Sequence, residues 1–457
     1  MLHTRNVEEI LAQIENNILS VIREDTLQGQ ELWKKLLRQH HADIAEIIEK
    51  IDTPKQKLLF KKLPRALAVK VFQELTESIQ ASLIKTLDLD EAAIIFQKMP
   101  SDELTDLFEC VSDEDLQQYL KLIQRKQRNK IISLLHLDPD SAGRIMNSDV
   151  ITLQRDFTIK KSVSLLQRVE IPKETMRRIY VTNRDNILVG YINLEDLVIN
   201  KSETPLTHVI HKNELAINVH VDQEEVARQM HHYGLLSAPV VDEQNNFLGV
   251  ITADDIVDIV EEEASEDVYK MSGLAPVEHS YFQTTFSSLF FQRGIWLASL
   301  LIFQSLSGFI LGKYQALIQN HVIMSFFLTM LIGTGGNAGN QSATLVIRGL
   351  ATGEISRKNA VRVLVREFGM SIALASVLFL VTFARIYFLY HNLTATIAIG
   401  ISLVLIINMS MILGAFIPFL LERLNLDPAH SAAPFLATLM DILGILIYCA
   451  VCSRFLG

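Results

Sequence analysis

The chain has 457 residues, 49% of them hydrophobic, and a formal net charge of −10 that is unevenly spread. Residues 293–457 carry ten Lys/Arg against five Asp/Glu, which leaves −15 on residues 1–292. An acidic half joined to an apolar half, with room for about three domains, argues against a nucleic-acid partner, which calls for a basic stripe; it points to metal cations and a lipid bilayer.

The opening stretch, MLHTRNVEEILAQIENNIL, is amphipathic and charged. It lacks the apolar core and cleavage site of a secretory signal, so the soluble half is expected in the cytosol. Three cysteines, Cys110, Cys449 and Cys452, offer no disulfide framework. Residues 41–124 then repeat every 24 residues, in blocks beginning at His41, Arg65, Leu89 and Asp113. Each block places apolar or small side chains at its fourth, seventh, eighth and eleventh positions, for example Ile44, Ile47, Ile48 and Ile51, or Ala92, Ile95, Phe96 and Met99. That is the stripe of an amphipathic helix, and Pro54, Pro64 and Pro100 punctuate the connections. An α-helical superhelix is expected over residues 1–137. Within it Asp102, Glu103, Asp106, Glu109, Asp113, Glu114 and Asp115 crowd together with no Lys or Arg among them. Two readings stay open for this patch: a solvated acidic face, or half of a cation site, with Asp102 and Asp106 as ligands, completed by another domain.

From about Asp138 the pattern changes to β-branched runs separated by helices: RRIYVTN, ILVGYIN, LAINVHV, SAPVVDE and FLGVIT. Ile179-Tyr180-Val181 followed by the Gly190 to Asp196 segment matches Pro239-Val240-Val241 followed by the Gly249 to Asp255 segment. In these residues the region 138–260 resembles a tandem cystathionine-β-synthase (CBS) pair. The resemblance implies an adenine nucleotide such as ATP at the second copy, near Pro239, with Thr252 and Asp255 contacting phosphate and ribose. The first copy has Asn193 in place of the Thr, so one nucleotide site per chain is expected.

Eight acids follow in fourteen residues without one base: Asp254, Asp255, Asp258, Glu261, Glu262, Glu263, Glu266 and Asp267. On a helix, positions 254, 258, 262 and 266 stack at i, i+4 spacing, where like charges repel. A merely solvated helix would alternate signs. Hard divalent cations prefer carboxylate oxygens, so a metal-sensing connecting helix and linker, residues 261–285, is favoured over a solvated face.

Residues 286–457 hold five apolar stretches, at 294–312, 315–347, 368–384, 393–421 and 431–453, each read as one membrane span. With the amino end in the cytosol, the carboxyl end lies outside. The loop after the second span then carries Arg348, Arg357, Lys358, Arg362 and Arg366 on the inside, as the positive-inside rule asks of a multi-pass protein of the cell (inner) membrane. The second span contains the run G-T-G-G-N-A-G-N-Q-S from Gly333 to Ser342. Its glycines weaken a helix or let backbones approach, and Asn337, Gly339, Asn340 and Gln341 are pore-lining candidates. The amides could bind the water shell of an ion or hydrogen-bond to a neighbouring helix. Pro418 and Pro434 are expected to break their helices and free backbone carbonyls. Asp441 sits near the middle of the last span, where a carboxylate costs about 2.5–3.5 kcal/mol on insertion scales. No Lys or Arg shares that apolar run, which makes an external cation its most economical partner.

The acidic repeat, CBS pair, acidic connecting helix, five spans, G-G-N-A-G-N-Q-S run and the segment from Asp427 to Asp441 occur in an order that resembles the MgtE family of magnesium transporters over essentially the full length. The resemblance implies a multidomain membrane protein: α-helical superhelix, α/β CBS pair and five-helix transmembrane domain. It implies a homodimer with the pore between subunits and a hydrated Mg2+ at Asp441 together with Ala437. It also implies closure by internal Mg2+ held at Asp254, Asp255, Asp258, Glu261, Glu262 and Glu266. Such a channel is not an enzyme, and no Walker A pattern occurs in the chain. Two charges crossing 100 mV gain about 4.6 kcal/mol, enough for passive uptake. An intramembrane aspartyl protease would need a second carboxylate sharing a proton. A CBS-based nucleotide receptor without transport would leave Asp441 and the Gly/Asn run without a task. Mn2+, Co2+ or Ca2+ as cargo stays open, because oxygen ligands discriminate by cavity size and hydration.

Overall fold

The computed structural model describes residues 12–14, 16–169, 177–275, 284–424, 426–429 and 432–456. Two compact units are present, Met1–Val260 and Glu261–Gly457. In the first, α1 (Ile18–Arg23) and α2 (Leu27–Leu36) precede four helix pairs: α3 (His41–Lys50) with α4 (Thr53–Lys62), α5 (Arg65–Gln73) with α6 (Glu77–Ile84), α7 (Leu89–Phe96) with α8 (Ser101–Glu109), and α9 (Asp113–Leu122) with α10 (Arg125–Leu134). Both members of the pair recur every 24 residues, so the repeat unit is a helical hairpin rather than a single helix. The first members bury the apolar stripe read from the sequence, including Ile44, Ile48, Phe72, Ile95 and Phe96. The second members hide a polar signature: buried Gln56 and Gln80, one repeat apart, donate Nε2 to the carbonyls of Ile48 and Phe72 at 2.9 and 2.8 Å. A buried amide that finds a carbonyl costs little, and here it ties each hairpin together.

The CBS region opens with α11 (Ala142–Ile145) and forms two sheets of equal design. The first contains β1 (Leu153–Gln154), α12 (Ile159–Leu166), β2 (Arg178–Thr182), β3 (Leu188–Asn193) and α13 (Leu194–Ile199). The second contains β4 (Ile217–Asn218), α14 (Gln223–Tyr233), β5 (Ser237–Val241), β6 (Phe247–Thr252) and α15 (Ala253–Met271). Each sheet pairs a two-residue strand parallel to the central strand, and the central strand antiparallel to the third, with Ile179 opposite Ile192 and Ala238 opposite Ile251. Both hairpins turn on an Asn in the left-handed region, Asn186 and Asn245, each at φ 63°, which Asn tolerates better than most residues. These turns cross-link the copies: Leu188 N–H donates to Asn245 O at 3.0 Å and Phe247 N–H to Asn186 O at 2.9 Å. Tyr180, Leu188, Tyr191, Val241, Phe247 and Val250 fill a core shared by the two copies.

The second unit is a helical bundle of α16 (Phe286–Lys313), the short α17 (Gln315–Asn320), α18 (Ile323–Ala351), α19 (Ala360–Tyr390), α20 (Leu393–Arg423) and α21 (Ala432–Leu456). Among the described residues, four helices are long and apolar enough to cross a membrane: Phe286–Lys313, Arg357–Tyr390, Leu393–Arg423 and Ala433–Leu456. The fifth, α18, has 29 residues and reaches about 43 Å at the usual rise, but its Gly/Asn run lowers its apolarity. The expected start of the last span at Ser431 lies outside the described residues.

Neither proline breaks a helix as expected. Pro418 lies buried inside the continuous α20, whose packing against α18, α19 and α21 holds it helical despite the lost N–H. Pro434 falls in the first turn of α21, where an N–H would have no intrahelical partner anyway.

Helices α18 and α20 cross at close range. A Cβ on Gly414 would overlap the carbonyl oxygen of Gly339, and one on Gly339 would overlap the Ser410 hydroxyl. Ser410 Oγ also donates to the carbonyl of Gly335. By contrast Gly333 and Gly336 have nothing within 4 Å of an added Cβ. Gly414→Ala is therefore expected to lower the stability of the detergent-solubilised protein by about 1–3 kcal/mol through overpacking. Gly333→Ala is expected to leave it unchanged or raise it by up to about 1 kcal/mol through helix propensity. Thermal unfolding of the two variants against the parent checks both; equal behaviour would remove the close crossing as a constraint.

Candidate cation sites

Asp441 projects from the middle of α21, with Ala437 one turn earlier, both half-buried in the protomer. Its Oδ2 accepts a 2.7 Å hydrogen bond from Gln304 Nε2 of α16. No Lys or Arg among the described residues forms an ion pair with it. On α18, the helical period splits the Gly/Asn run into two faces. Gly335, Ala338, Gly339 and Ser342 are buried, the two glycines against α20 and α21, and Asn337 and Gln341 are exposed. Gly339, a pore-lining candidate from the sequence, is thus placed between Ser410, the Gly414 backbone and Leu436. Asn340 is half-buried, and its Oδ1 is a buried acceptor without a hydrogen-bond partner among the described residues.

A second acid inside the helical bundle was not singled out from the sequence. Glu367 lies inside α19, one residue before the stretch taken as the third span, and its Oε2 accepts a 2.6 Å bond from Ser342 Oγ.

In the first unit the structure brings together acids that are far apart in sequence. Asp102 in the first turn of α8 is buried, Glu103 beside it is half-buried, and Asp255 in the first turn of α15 interacts electrostatically with both. Burial, then the charge of Asp255, pushes the Asp102 carboxyl up to about 7. Burial, then Asp102 and Asp255, pushes Glu103 up to about 8. Burial also raises Asp255, against the opposing effect of two hydrogen bonds from Thr252. Among the described residues, Asp102 Oδ1 and Glu103 Oε2 are buried acceptors with no hydrogen-bond partner. A buried carboxylate normally has a donor or a cation, and these oxygens fit a cation or its bound water. Among the described residues no three His, Cys, Asp or Glu side chains are arranged to grip a bare ion between them.

Other members of the acidic patch have counter-charges that the local sequence could not reveal. Arg144 of α11, buried at 2% exposure, pairs through Nη2 with Asp106 at 2.9 Å and Glu109 at 3.0 Å. Lys85 pairs with Asp115 at 3.4 Å. Asp149 is exposed, and bonds from Lys130 and Ser101 outweigh its partial desolvation and hold its carboxyl below the usual range. Along α15, Asp254, Asp258, Glu261 and Glu262 are exposed. Glu266 accepts from Lys270 at 2.6 Å, and Lys270 also reaches Asp427 at 2.7 Å, in the turn before α21. Burial and the charge of Asp427 raise the neighbouring Asp267.

The CBS signature folds onto itself. Thr252 donates its N–H and its Oγ1 to Asp255 Oδ2, at 3.0 and 2.6 Å, closing the N-terminus of α15. In the first copy Asn193 N–H donates to Asp196 Oδ2 at 2.8 Å, and His211 Nε2 lies 2.9 Å from that same oxygen. Pro239 is buried in β5 opposite Val250. Asp255 therefore has two partners to serve, Thr252 and the Asp102 cluster.

Comparison with known proteins covers the same three regions. Residues 328–451 match the MgtE divalent cation transporter model, residues 39–140 the MgtE intracellular N domain, and residues 142–202 and 206–262 the CBS domain. The magnesium transporter MgtE of Thermus thermophilus is 32% identical over 430 residues, covering 93% of this chain and 95% of that protein. The magnesium transporter MgtE of Bacillus subtilis is 29% identical, covering 91% and 94%. Among solved structures, the cytosolic domain of the Mg2+ channel MgtE in complex with ATP is similar at 26% identity and a TM-score of 0.49, over 54% of this chain and 99% of that one. Full-length similarity at this level, with the transporter, N-domain and CBS models in sequence along it, establishes that the chain belongs to the MgtE family of divalent cation transporters.

Proposed function

We propose that the protein is a passive Mg2+ channel of the cell membrane, working as a homodimer and closed from the cytosolic side by Mg2+ itself. The observation that carries the reading is Asp441, a carboxylate in the last span whose hydrogen-bond partner is a neutral amide rather than a base. The relatives that match nearly full length are named as magnesium transporters. Mg2+ sheds water reluctantly and keeps several waters when one or two carboxylates bind it. Two Asp441 side chains, one per subunit, with the backbone near Ala437, suit a hydrated ion; Mn2+ and Co2+ are the competing cargo. The orphan oxygen of Asn340 and the exposed amides of Asn337 and Gln341 give the water shell further acceptors. With the amino end in the cytosol and the carboxyl end outside, the membrane potential draws the ion inward.

Closure follows from the cytosolic acids. Asp102, Glu103 and Asp255 repel when ionised, and Asp106 adds its charge at the edge of the cluster. Mg2+ that enters this cluster, and the Asp254, Asp258, Glu261, Glu262 and Glu266 stripe, removes the repulsion and favours the compact closed form. An adenine nucleotide at the second CBS copy would engage Thr252 and Asp255, near Pro239, and so compete for the carboxylate that faces Asp102.

Two outcomes are expected. Asp441→Ala should reduce Mg2+ uptake into proteoliposomes to the level of protein-free vesicles while the variant still elutes as a dimer; parental flux would remove Asp441 from the pore. The raised carboxyls give the second. Between the unfolded values near 4 and the folded values of about 7 and 8, the folded state holds more protons than the unfolded one. Stability from this cluster is therefore fully present below about pH 4 and is lost as pH rises through about 8. Denaturant unfolding of the full chain without divalents should show that slope, and millimolar Mg2+ should flatten it. Asp102→Asn should shrink the slope; an unchanged slope would exclude the cluster as the linked site.

A further inference from the structure

We propose that Gln304 is the positioning residue for the pore carboxylate. Its amide fixes Asp441 Oδ2 and directs the other carboxylate oxygen, together with its own carbonyl oxygen, toward the water shell of the ion. The inference rests on Asp441 being the pore carboxylate, and it adds a residue of α16 to a site otherwise built from α18 and α21.

Gln304 stands in the run IWLASLLIFQSLSGFIL, on a helix of which only 6% of the apolar window is buried within the protomer. An amide at that depth needs a partner, since lipid offers none. The partner is Asp441, at 2.7 Å, a short distance for N–H···O and typical of a bond to a charged acceptor. A carboxylate only accepts, so the amide must turn its nitrogen toward Asp441 and its Oε1 away. The bond consumes one of about four lone-pair positions on the carboxylate. Lys or Arg at this place would cancel the charge and compete with the cargo. Gln orients the carboxylate and leaves its whole negative charge for the ion. The same side of α16 carries Ser307, three residues on, which is buried with a hydroxyl that has no hydrogen-bond partner among the described residues. Ser299 and Ser305 in the same run bond instead to carbonyls of their own helix, at Ile295 and Leu301. The free acceptors, Asp441 Oδ1 and Gln304 Oε1, match water hydrogens rather than a bare metal, as expected for a cation that stays hydrated.

The test is initial-rate Mg2+ uptake by proteoliposomes carrying the full chain, over a range of external Mg2+, for the parent, Gln304→Leu, Gln304→Asn and Asp441→Ala. Gln304→Leu is expected to raise the half-saturating Mg2+ about tenfold, equivalent to about 1.4 kcal/mol, with a smaller change in maximal rate. Gln304→Asn, which keeps the amide on a shorter stem, should recover part of that shift. A simple helix staple predicts something else: a lower melting temperature and fewer active molecules, hence a lower maximal rate at unchanged half-saturation. That pattern, or no change in Gln304→Leu, overturns the role of Gln304 while leaving Mg2+ passage intact. A parent that passes no Mg2+, or an Asp441→Ala protein that passes it normally, overturns the pore reading and this inference with it.

Discussion

Removing a carboxylate from water is costly, and the fold is arranged around the ways of offsetting that cost. Three compensations are available: a protein cation, a proton or an external ion. Arg144 supplies the first for Asp106 and Glu109, Lys130 for Asp149, and Lys270 for Glu266 and Asp427. Asp102 and Glu103 lean toward the second, since burial and mutual repulsion raise their carboxyls well above the usual range. What remains is the third. The acids with neither a base nor a donor for every oxygen are where a divalent cation has the most to gain.

The same logic separates the acids that sequence counting had pooled. Fifteen acids in two dense runs look alike in one dimension. In three, most fall into exposed positions on α9 and α15, ion pairs with bases near and far in the chain, and one buried cluster. The sorting depends on two helix starts. Asp102 opens α8 and Asp255 opens α15, positions where an acid is favoured by the helix dipole and by free N–H groups. Thr252 takes one oxygen of Asp255, so the carboxylate that faces Asp102 is fixed in place by the cap that starts its own helix.

Much of the architecture was legible because its signals are local and periodic. The 24-residue repeat, the matched CBS segments and the apolar spans each announce themselves within a few dozen residues. The second helix of each hairpin did not, because its apolar stripe is interrupted by residues such as Gln56 and Gln80 that are buried through a hydrogen bond. The strands β1 and β4 contribute only two residues each, and β1 fell below any pattern. The candidate site was legible only in its charged members. Asp441 stands out as an acid in an apolar run, whereas Gln304, more than a hundred residues earlier, carries no mark until the two helices meet. Arg144 and Glu367 were hidden for the same reason: one ends up buried between distant acids, the other sits at the edge of an apolar stretch. Pro418 misled because a helix-breaking residue was weighed without the neighbours that hold α20 straight.

The Gly/Asn run carries two requirements on one helix. Residues three and four apart share a face, so Gly335, Ala338, Gly339 and Ser342 line up, and Asn337 and Gln341 line up on the other side. Glycine on the first face allows α20 to approach until the Gly339 carbonyl meets the Gly414 backbone. That closeness holds α18 along its length and leaves no freedom to rotate the second face. Amides at membrane depth are tolerable only when their position relative to water or a polar path is fixed, since a small rotation would turn them into lipid. The glycines thus need not touch an ion to matter for one: by locking the crossing they determine where Asn337, Asn340 and Gln341 stand, as Gln304 determines where Asp441 points.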